Sequence, residues 1–179
     1  YLAEEQGAQS SVKYVAIKKI LSNYSSTPEY KKMFIDEGII GCQLTHANIC
    51  QVSPLLEIKP HLYIPMEFIP GKNLRQVINK YKKKNGIKPM PVPFALFVIN
   101  EVLKGLDYAH TKIDERDGKH LNIVHRDMSP QNIMLSYQGS VKIIDFGIVK
   151  SKIASNETRA GVIKGKYSYM SPEQAKWET

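Results

Sequence analysis

The most constraining stretch of this chain runs from Ile123 to Gly147. It opens Ile123-Val124-His125-Arg126-Asp127-Met128-Ser129-Pro130-Gln131-Asn132, so an Asp and an Asn lie five positions apart on one short loop. Two apolar runs follow, Ile133-Met134-Leu135-Ser136 and Val141-Lys142-Ile143-Ile144, joined at a Gln138-Gly139 turn, and they predict a hairpin. A second Asp, Asp145, comes directly after it, before Phe146-Gly147. Three oxygen-bearing side chains are thereby brought to neighbouring loop ends. One can orient a hydroxyl, and two can hold Mg²⁺, a hard ion that takes oxygen ligands.

The preceding sequence supplies elements to carry such a site. The β-branched run Val12-Lys13-Tyr14-Val15-Ala16-Ile17-Lys18-Lys19-Ile20 predicts a strand of a hairpin. Thr27-Pro28-Glu29 starts a helix, with an N-cap hydroxyl, Pro in the first turn and an acid at the positive end. That helix is predicted to about Leu44, with Phe34, Ile40 and Leu44 on its apolar side. Residues 52–66 read as two strands around Lys59-Pro60, although Pro65 lacks a ladder donor. A short helix spans Asn73 to Lys84 and stops at Asn85-Gly86. From Pro93 to about Thr111, Leu96, Ile99, Leu103, Leu106 and His110 recur at helical spacing and are predicted as a core stripe. Asp117-Gly118 predicts a turn in the link from Lys112 to Asn122.

The first and last motifs of the opening stretch resemble the catalytic loop H-R-D-x-x-x-x-N and the D-F-G motif of protein kinases. Val15-Ala16-Ile17-Lys18 resembles the kinase V-A-I-K strand, and Glu37 stands where the family's helix C presents its Glu. Glu37, Leu44 and His46-Ala47-Asn48-Ile49 together resemble E…L-x-H-P-N-I. The link at 112–122 followed by I-V-H-R-D-x-S-P-x-N is similar to a group of bacterial eukaryotic-like Ser/Thr kinases. The resemblance implies an α+β, bilobal kinase fold, incomplete at both ends. Residues 1–66 would form a partial N-lobe without its first strand and Gly-rich loop, residues 67–73 the hinge, and residues 74–179 a partial C-lobe lacking later helices.

The same resemblance implies the roles. ATP and Mg²⁺ would be the cofactors and a protein Ser or Thr hydroxyl the acceptor. Asp127 would accept or orient the hydroxyl proton, and Asn132 and Asp145 would bind the metal. Lys18 would neutralise phosphate charge, held by Glu37, with Asp36 as the neighbouring decoy. Ala16 and Met134 would sandwich the adenine, Met66 would be the gatekeeper, the backbone of Glu67 and Ile69 would bond the base, and Asn73 falls near the ribose position. His125 and Phe146 would pack behind the site.

Departures from the family pattern are informative. Ser129 stands where many Ser/Thr kinases have a Lys that meets the γ-phosphate. Lys166 stands where the family often has a Thr, so it is expected to reach back and supply the missing charge, against the plainer reading of a solvated loop Lys. Gly41 replaces a larger packing residue and is expected to leave its helix less constrained. Ser151, Ser155 and Thr158 are candidate phosphosites opposite Arg126, and Glu173 is expected in a structural ion pair with an Arg beyond this chain's end. The alternative to a kinase is a pseudokinase or ATP-binding scaffold without turnover, for which Ser129 and the absent Gly-rich loop argue.

Bulk properties bound the rest. The 179 residues suffice for one core or two small lobes. The formal net charge of +8 owes much to Lys80, Lys82, Lys83 and Lys84, read as a solvated helix end, with a docking or membrane-facing patch as the alternative. Tyr81 is the one aromatic in that run, which lacks aromatic interleaving of the kind single-strand binders use, so nucleic acid is not an expected partner. Cys42 and Cys50 fit no metal or redox spacing and suit a reducing compartment. With no long apolar run in this chain, a cytoplasmic location is expected, without excluding an anchor in a longer parent.

Overall fold

The computed structural model describes residues 1–6, 11–20, 27–146 and 167–176. Strand β1 (Leu2–Gln6) pairs antiparallel with β2 (Val12–Lys19), placing Leu2 opposite Ala16. On its other side β2 pairs with β4 (His61–Glu67), which in turn pairs with β3 (Leu56–Ile58), giving the order β1-β2-β4-β3. Pro65 is tolerated because pairing with β3 ends at Tyr63 opposite Leu56. The Pro65 carbonyl accepts the Ser53 N–H at 2.9 Å. Its missing donor lies on that same side, past the end of β3, so no β2–β4 ladder bond is lost.

Helix α1 (Pro28–Gln43) covers this sheet, burying Phe34 in a cluster with Ile20, Leu62 and Ile64. Thr27 occupies the N-cap, but contrary to expectation its hydroxyl makes no capping bond. Pro28 in the first turn and Glu29 at the positive end remain to favour the start. Gly41 also departs from expectation. A Cβ built there would stand 3.0 Å from Val52 Cγ2 and 3.2 Å from Val52 Cβ, so the helix is held tightly where looseness was expected.

A second, 3-stranded sheet has the order β5-β6-β7, formed by β5 (Gly71–Asn73), β6 (Ile133–Ser136) and β7 (Val141–Ile143). Gly71 is required there, because a Cβ would fall 2.0 Å from the Leu135 carbonyl oxygen. Helix α2 (Leu74–Asn85) starts from a reciprocal cap between Asn73 and Gln76 and stops at Gly86, whose φ is +66°.

Helix α3 (Val92–Thr111) buries Val98, Val102, Gly105 and Ala109. This overturns most of the predicted stripe: Leu96, Ile99, Leu103 and His110 are exposed, and only Leu106 packs against the core. The helix carries apolar residues on adjacent faces, so periodicity alone did not choose between them. Gly105 favours this face, because a Cβ there would crowd Ile143 and the Asn48 carbonyl at 3.0 and 3.1 Å. The resulting core joins Leu44, Ile49, Val98, Val102, Ile123, Ile143 and Phe146. The 112–122 link folds back on itself through an Ile113–His120 bridge, with Gly118 at φ +70°. A 3₁₀ turn (Tyr167–Tyr169) and the short α4 (Pro172–Ala175) complete the described chain.

Candidate active site

Strand β2 carries Lys18 to a point between two carboxylates. Its Nζ is bonded to Glu37 Oε1 on α1 and lies 3.0 Å from Asp145 Oδ1. Glu37, not Asp36, is therefore the residue that the helix presents to the strand. Burial works to lower the Lys18 pKa, but the Glu37 and Asp145 carboxylates outweigh it and hold it above its ordinary value.

The loop after Ile123 is anchored by His125, which is 1 % exposed. Its Nε2 lies 3.1 Å from the Ile144 carbonyl, and its ring centroid is 4.7 Å from that of Phe146. Arg126 and Asp145 adopt φ values of +60° and +54°, a left-handed conformation uncommon outside glycine. Asn132 folds back onto Asp127, its Nδ2 donating to the Asp127 carbonyl at 2.7 Å and to Oδ2 at 3.2 Å. Ile144 N–H donates to the Asn132 carbonyl at 3.0 Å, which ties this loop to the residue preceding Asp145.

The donor set suits Mg²⁺. Among the described residues there is no cluster of three or more His, Cys, Asp or Glu that could hold a metal alone. An Asn amide oxygen and one carboxylate are what a magnesium ion takes when phosphate and water complete its shell.

Around the expected base site, Met66 lies opposite Ala16 on neighbouring strands, and Met134 opposite Asn73. Ile69 is buried. Glu67 ends β4, and its carbonyl accepts the Cys50 thiol at 3.6 Å. Burial, and then the charge of Glu67, push the Cys50 thiol up to about 12. Asn73 accepts the Gln76 N–H on its Oδ1 at 2.9 Å, so that oxygen serves the helix cap while the amide NH₂ carries no part of it. Behind Met66 a cavity of about 30 Å³ lies beside Glu37, Gly41, Val52 and Asp145, room for a water or two.

Ser129 is 7 % exposed, and its buried hydroxyl has no hydrogen-bond partner among the described residues. Lys166, Gly147 and the candidate phosphosites Ser151, Ser155 and Thr158 lie outside the described residues. Further along, Gln174 Nε2 donates to the Arg126 carbonyl at 2.7 Å, and the Arg75 guanidinium donates to the Tyr169 hydroxyl at 2.6 Å.

A profile of the protein kinase domain matches residues 5–178. The chain belongs to the protein kinase domain family. This kinase chain is 40% identical over 98% of its length to the tyrosine-protein kinase MasK of Myxococcus xanthus, covering 27% of that protein. It is 35% identical over 90% of its length to the probable serine/threonine-protein kinase PknB of Lactococcus lactis, covering 23% of it. The serine/threonine-protein kinase PrkC of Bacillus subtilis matches at 31% identity, with 90% of this chain and 23% of that one covered. The kinase chain thus spans about a quarter of the length of these relatives. Among solved structures, the Mycobacterium tuberculosis PknI kinase domain superposes with a TM-score of 0.60 at 25% identity, covering 78% of this chain and 51% of that one. The kinase-like α+β fold and the likeness to bacterial Ser/Thr kinases expected from sequence are both met.

Sequence reasoning missed several residues that shape this site. Cys50 was read only as a thiol, and nothing local marks its approach to the Glu67 carbonyl. Lys142 was read as part of a hairpin, yet its Nζ lies 3.0 Å from Glu67 Oε2. Asn48 was read as part of a motif. It is 5 % exposed, and its amide donates to Glu101 Oε2 at 2.8 Å and to the Val141 carbonyl at 3.0 Å. Among Thr45, His46 and Gln51, nothing local marks Asn48 as buried.

Proposed function

We propose that the chain carries the nucleotide and phosphoryl-transfer site of a serine/threonine protein kinase, which moves the ATP γ-phosphate to a protein hydroxyl with Mg²⁺. The observation that carries this reading is the position of Lys18, bonded at once to Glu37 and Asp145. Such an arrangement places a cation, held on both sides, beside a carboxylate suited to a metal.

Phosphoryl transfer needs positioning and charge cancellation more than covalent chemistry from the protein. Lys18 is kept protonated by its two partners, so it can meet the α- and β-phosphates as a cation. Asp127 takes the proton of the acceptor hydroxyl as its oxygen bonds to Pγ, while the bond from Pγ to the β-phosphate oxygen breaks and ADP leaves. Asn132 holds Asp127 through its amide nitrogen and offers its Oδ1 to the metal, as Asp145 offers its carboxylate. When bound, Mg²⁺ supplies charge neutralisation to the β- and γ-phosphate oxygens. Ala16, Met66, Met134, Ile69 and the Glu67 backbone form the base site in this reading. Ser129 leaves the loop without the lysine many Ser/Thr kinases use, and its side chain is buried. A cytoplasmic location goes with an ATP-using site and two free cysteines. No helix among the described residues is long and apolar enough to cross a membrane.

A tyrosine acceptor is the second reading, favoured by the 40% identity to a protein named as a tyrosine kinase. The loop residues Ser129-Pro130-Gln131, in place of the Ala-Ala-Arg usual in tyrosine kinases, favour Ser/Thr. The deciding experiment is transfer of radiolabel from ATP by the full-length protein, followed by phosphoamino-acid analysis, beside Asp127→Asn and Lys18→Met. Phosphoserine or phosphothreonine lost in both variants is expected. Phosphotyrosine alone would reverse the acceptor class, and tight Mg-ATP binding without transfer would make this a pseudokinase.

A further inference from the structure

The consecutive residues Lys142 to Asp145 are each fastened to a different wall of the candidate site. Lys142 Nζ lies 3.0 Å from Glu67 Oε2 at the end of β4. Ile143 donates its N–H to the Asn48 carbonyl and accepts the Cys50 N–H, both at 2.8 Å. Ile144 donates to the Asn132 carbonyl at 3.0 Å, and Asp145 meets Lys18 at 3.0 Å. The links at Ile143 and Ile144 run through the backbone and need no particular side chain. Those at Lys142 and Asp145 are made by the side chains themselves, and only Asp145 has been given a role so far.

Glu67 is held on several sides. Its Oε2 also accepts the Gln51 N–H at 3.1 Å, and its own N–H donates to the Gln51 carbonyl at 2.8 Å. Its side chain is 29% exposed and that of Lys142 only 17%. A half-buried carboxylate is favoured in this orientation by a counter-charge beside it. Without Lys142 the carboxylate is freer to turn out to solvent, which would give up the Gln51 N–H bond and leave the end of β4 held by backbone bonds alone.

We propose that Lys142 is a positioning residue for adenine recognition. By pairing with Glu67 across the site, it fixes the hinge carbonyl relative to the Asp145 end of the same strand. This rests on the nucleotide-binding reading above. It assigns to Lys142 an effect on the base and none on the phosphates.

The test compares Mg-ATP with base-free Mg-tripolyphosphate, using calorimetric affinities on the full-length protein. The variants are Lys142→Met, Lys142→Arg, Glu67→Gln and the double Lys142→Met/Glu67→Gln. Lys142→Met is expected to weaken ATP about fivefold, the scale of a partly buried ion pair, and to leave tripolyphosphate binding unchanged. Lys142→Arg should restore most of the affinity, and the double variant should bind no more weakly than Lys142→Met alone. Unchanged ATP affinity in Lys142→Met, or equal weakening of both ligands, overturns the inference. Should Lys142→Met fail to fold, wild-type ATP affinity in Glu67→Gln overturns it equally. A wild-type protein that binds no ATP would instead overturn the kinase reading, and this inference with it.

Discussion

Asn132 reaches back along its own loop to Asp127, its Nδ2 2.7 Å from the Asp127 carbonyl and 3.2 Å from the carboxylate. The amide nitrogen is thereby committed, and Oδ1 is the atom left for a metal. In the proposed kinase reading, one residue would thus orient the proton acceptor and complete the metal's ligand set.

Asn132→Ala should remove both contributions. Single-turnover transfer by the full-length protein is expected to fall by about a hundredfold or more, as when a positioned electrostatic group is lost. Asn132→Asp keeps an oxygen ligand but sets a second carboxylate against Asp127, so transfer should fall here too. The Mg²⁺ concentration for half-maximal ATP binding should rise for Asn132→Ala and less for Asn132→Asp. Equal Mg²⁺ dependence in all three proteins would remove Asn132 from the metal site.

The Lys18 ion pairs predict a pH dependence in the absence of nucleotide. The folded-state pKa of Lys18 stands above the ordinary 10.5, so the folded chain binds this proton more tightly than the unfolded chain. Its stabilising contribution is complete below 10.5 and is lost as pH rises through the folded-state value. Lys18→Met should be the less stable protein at neutral pH, since Glu37 and Asp145 then face each other without a cation. The gap in urea midpoint should narrow as pH is taken above 10.5. A gap that widens with pH would show that the pairs do not hold Lys18 in its charged form.

Gly41 and Val52 make a packing prediction. The Cβ added by Gly41→Ala would meet three atoms of Val52 at 3.0–3.3 Å. Val52 is β-branched and cannot swing its Cβ aside without moving the backbone. The helix-propensity gain of about 1 kcal/mol is therefore expected to be offset by overpacking, which costs about 1–3 kcal/mol. Gly41→Leu should be worse. Combined with Val52→Ala, Gly41→Ala should cost less than the two single changes summed, as a double-mutant cycle of chemical denaturation would read. Strict additivity would mean that the two residues do not compete for this space.

These cases mark where sequence was legible and where it was not. Lys18, Glu37, Asp127, Asn132 and Asp145 stand out in sequence because phosphoryl transfer would demand those side chains in a fixed order; in the structure Lys18 meets Glu37 and Asp145, and Asn132 meets Asp127. The pairing of Lys142 with Glu67 could not be read, because 75 positions separate them and Glu67 was legible only for its backbone. The buried face of α3 was misread because apolar residues occupy adjacent stripes, and a glycine facing β7 favours one of them. The tightness at Gly41 was misread because it depends on Val52, outside the helix. Pair geometry across elements is invisible to local pattern, whereas motif chemistry is not.

Asn48 joins the small sheet to the helical part of the chain, and its replacement separates two kinds of loss. Its amide donates to Glu101 Oε2 and to the Val141 carbonyl, while its own carbonyl accepts the Ile143 N–H. Asn48→Ala keeps the backbone bond but leaves the buried Val141 carbonyl without that donor, so a destabilisation of about 1–3 kcal/mol is expected. Asn48→Asp should cost more at neutral pH, because a carboxylate then faces both Glu101 and a carbonyl oxygen. Burial and that repulsion raise the pKa of the introduced carboxyl in the folded state. Its penalty is then largest above the ordinary carboxylate range and eases as pH falls, because the folded form takes up the proton first. Urea denaturation at neutral and acidic pH should show Asn48→Asp approaching Asn48→Ala in acid. A penalty for Asn48→Asp independent of pH would mean that the position tolerates a charge, and that the amide is not what fastens Asn48 to α3 and β7.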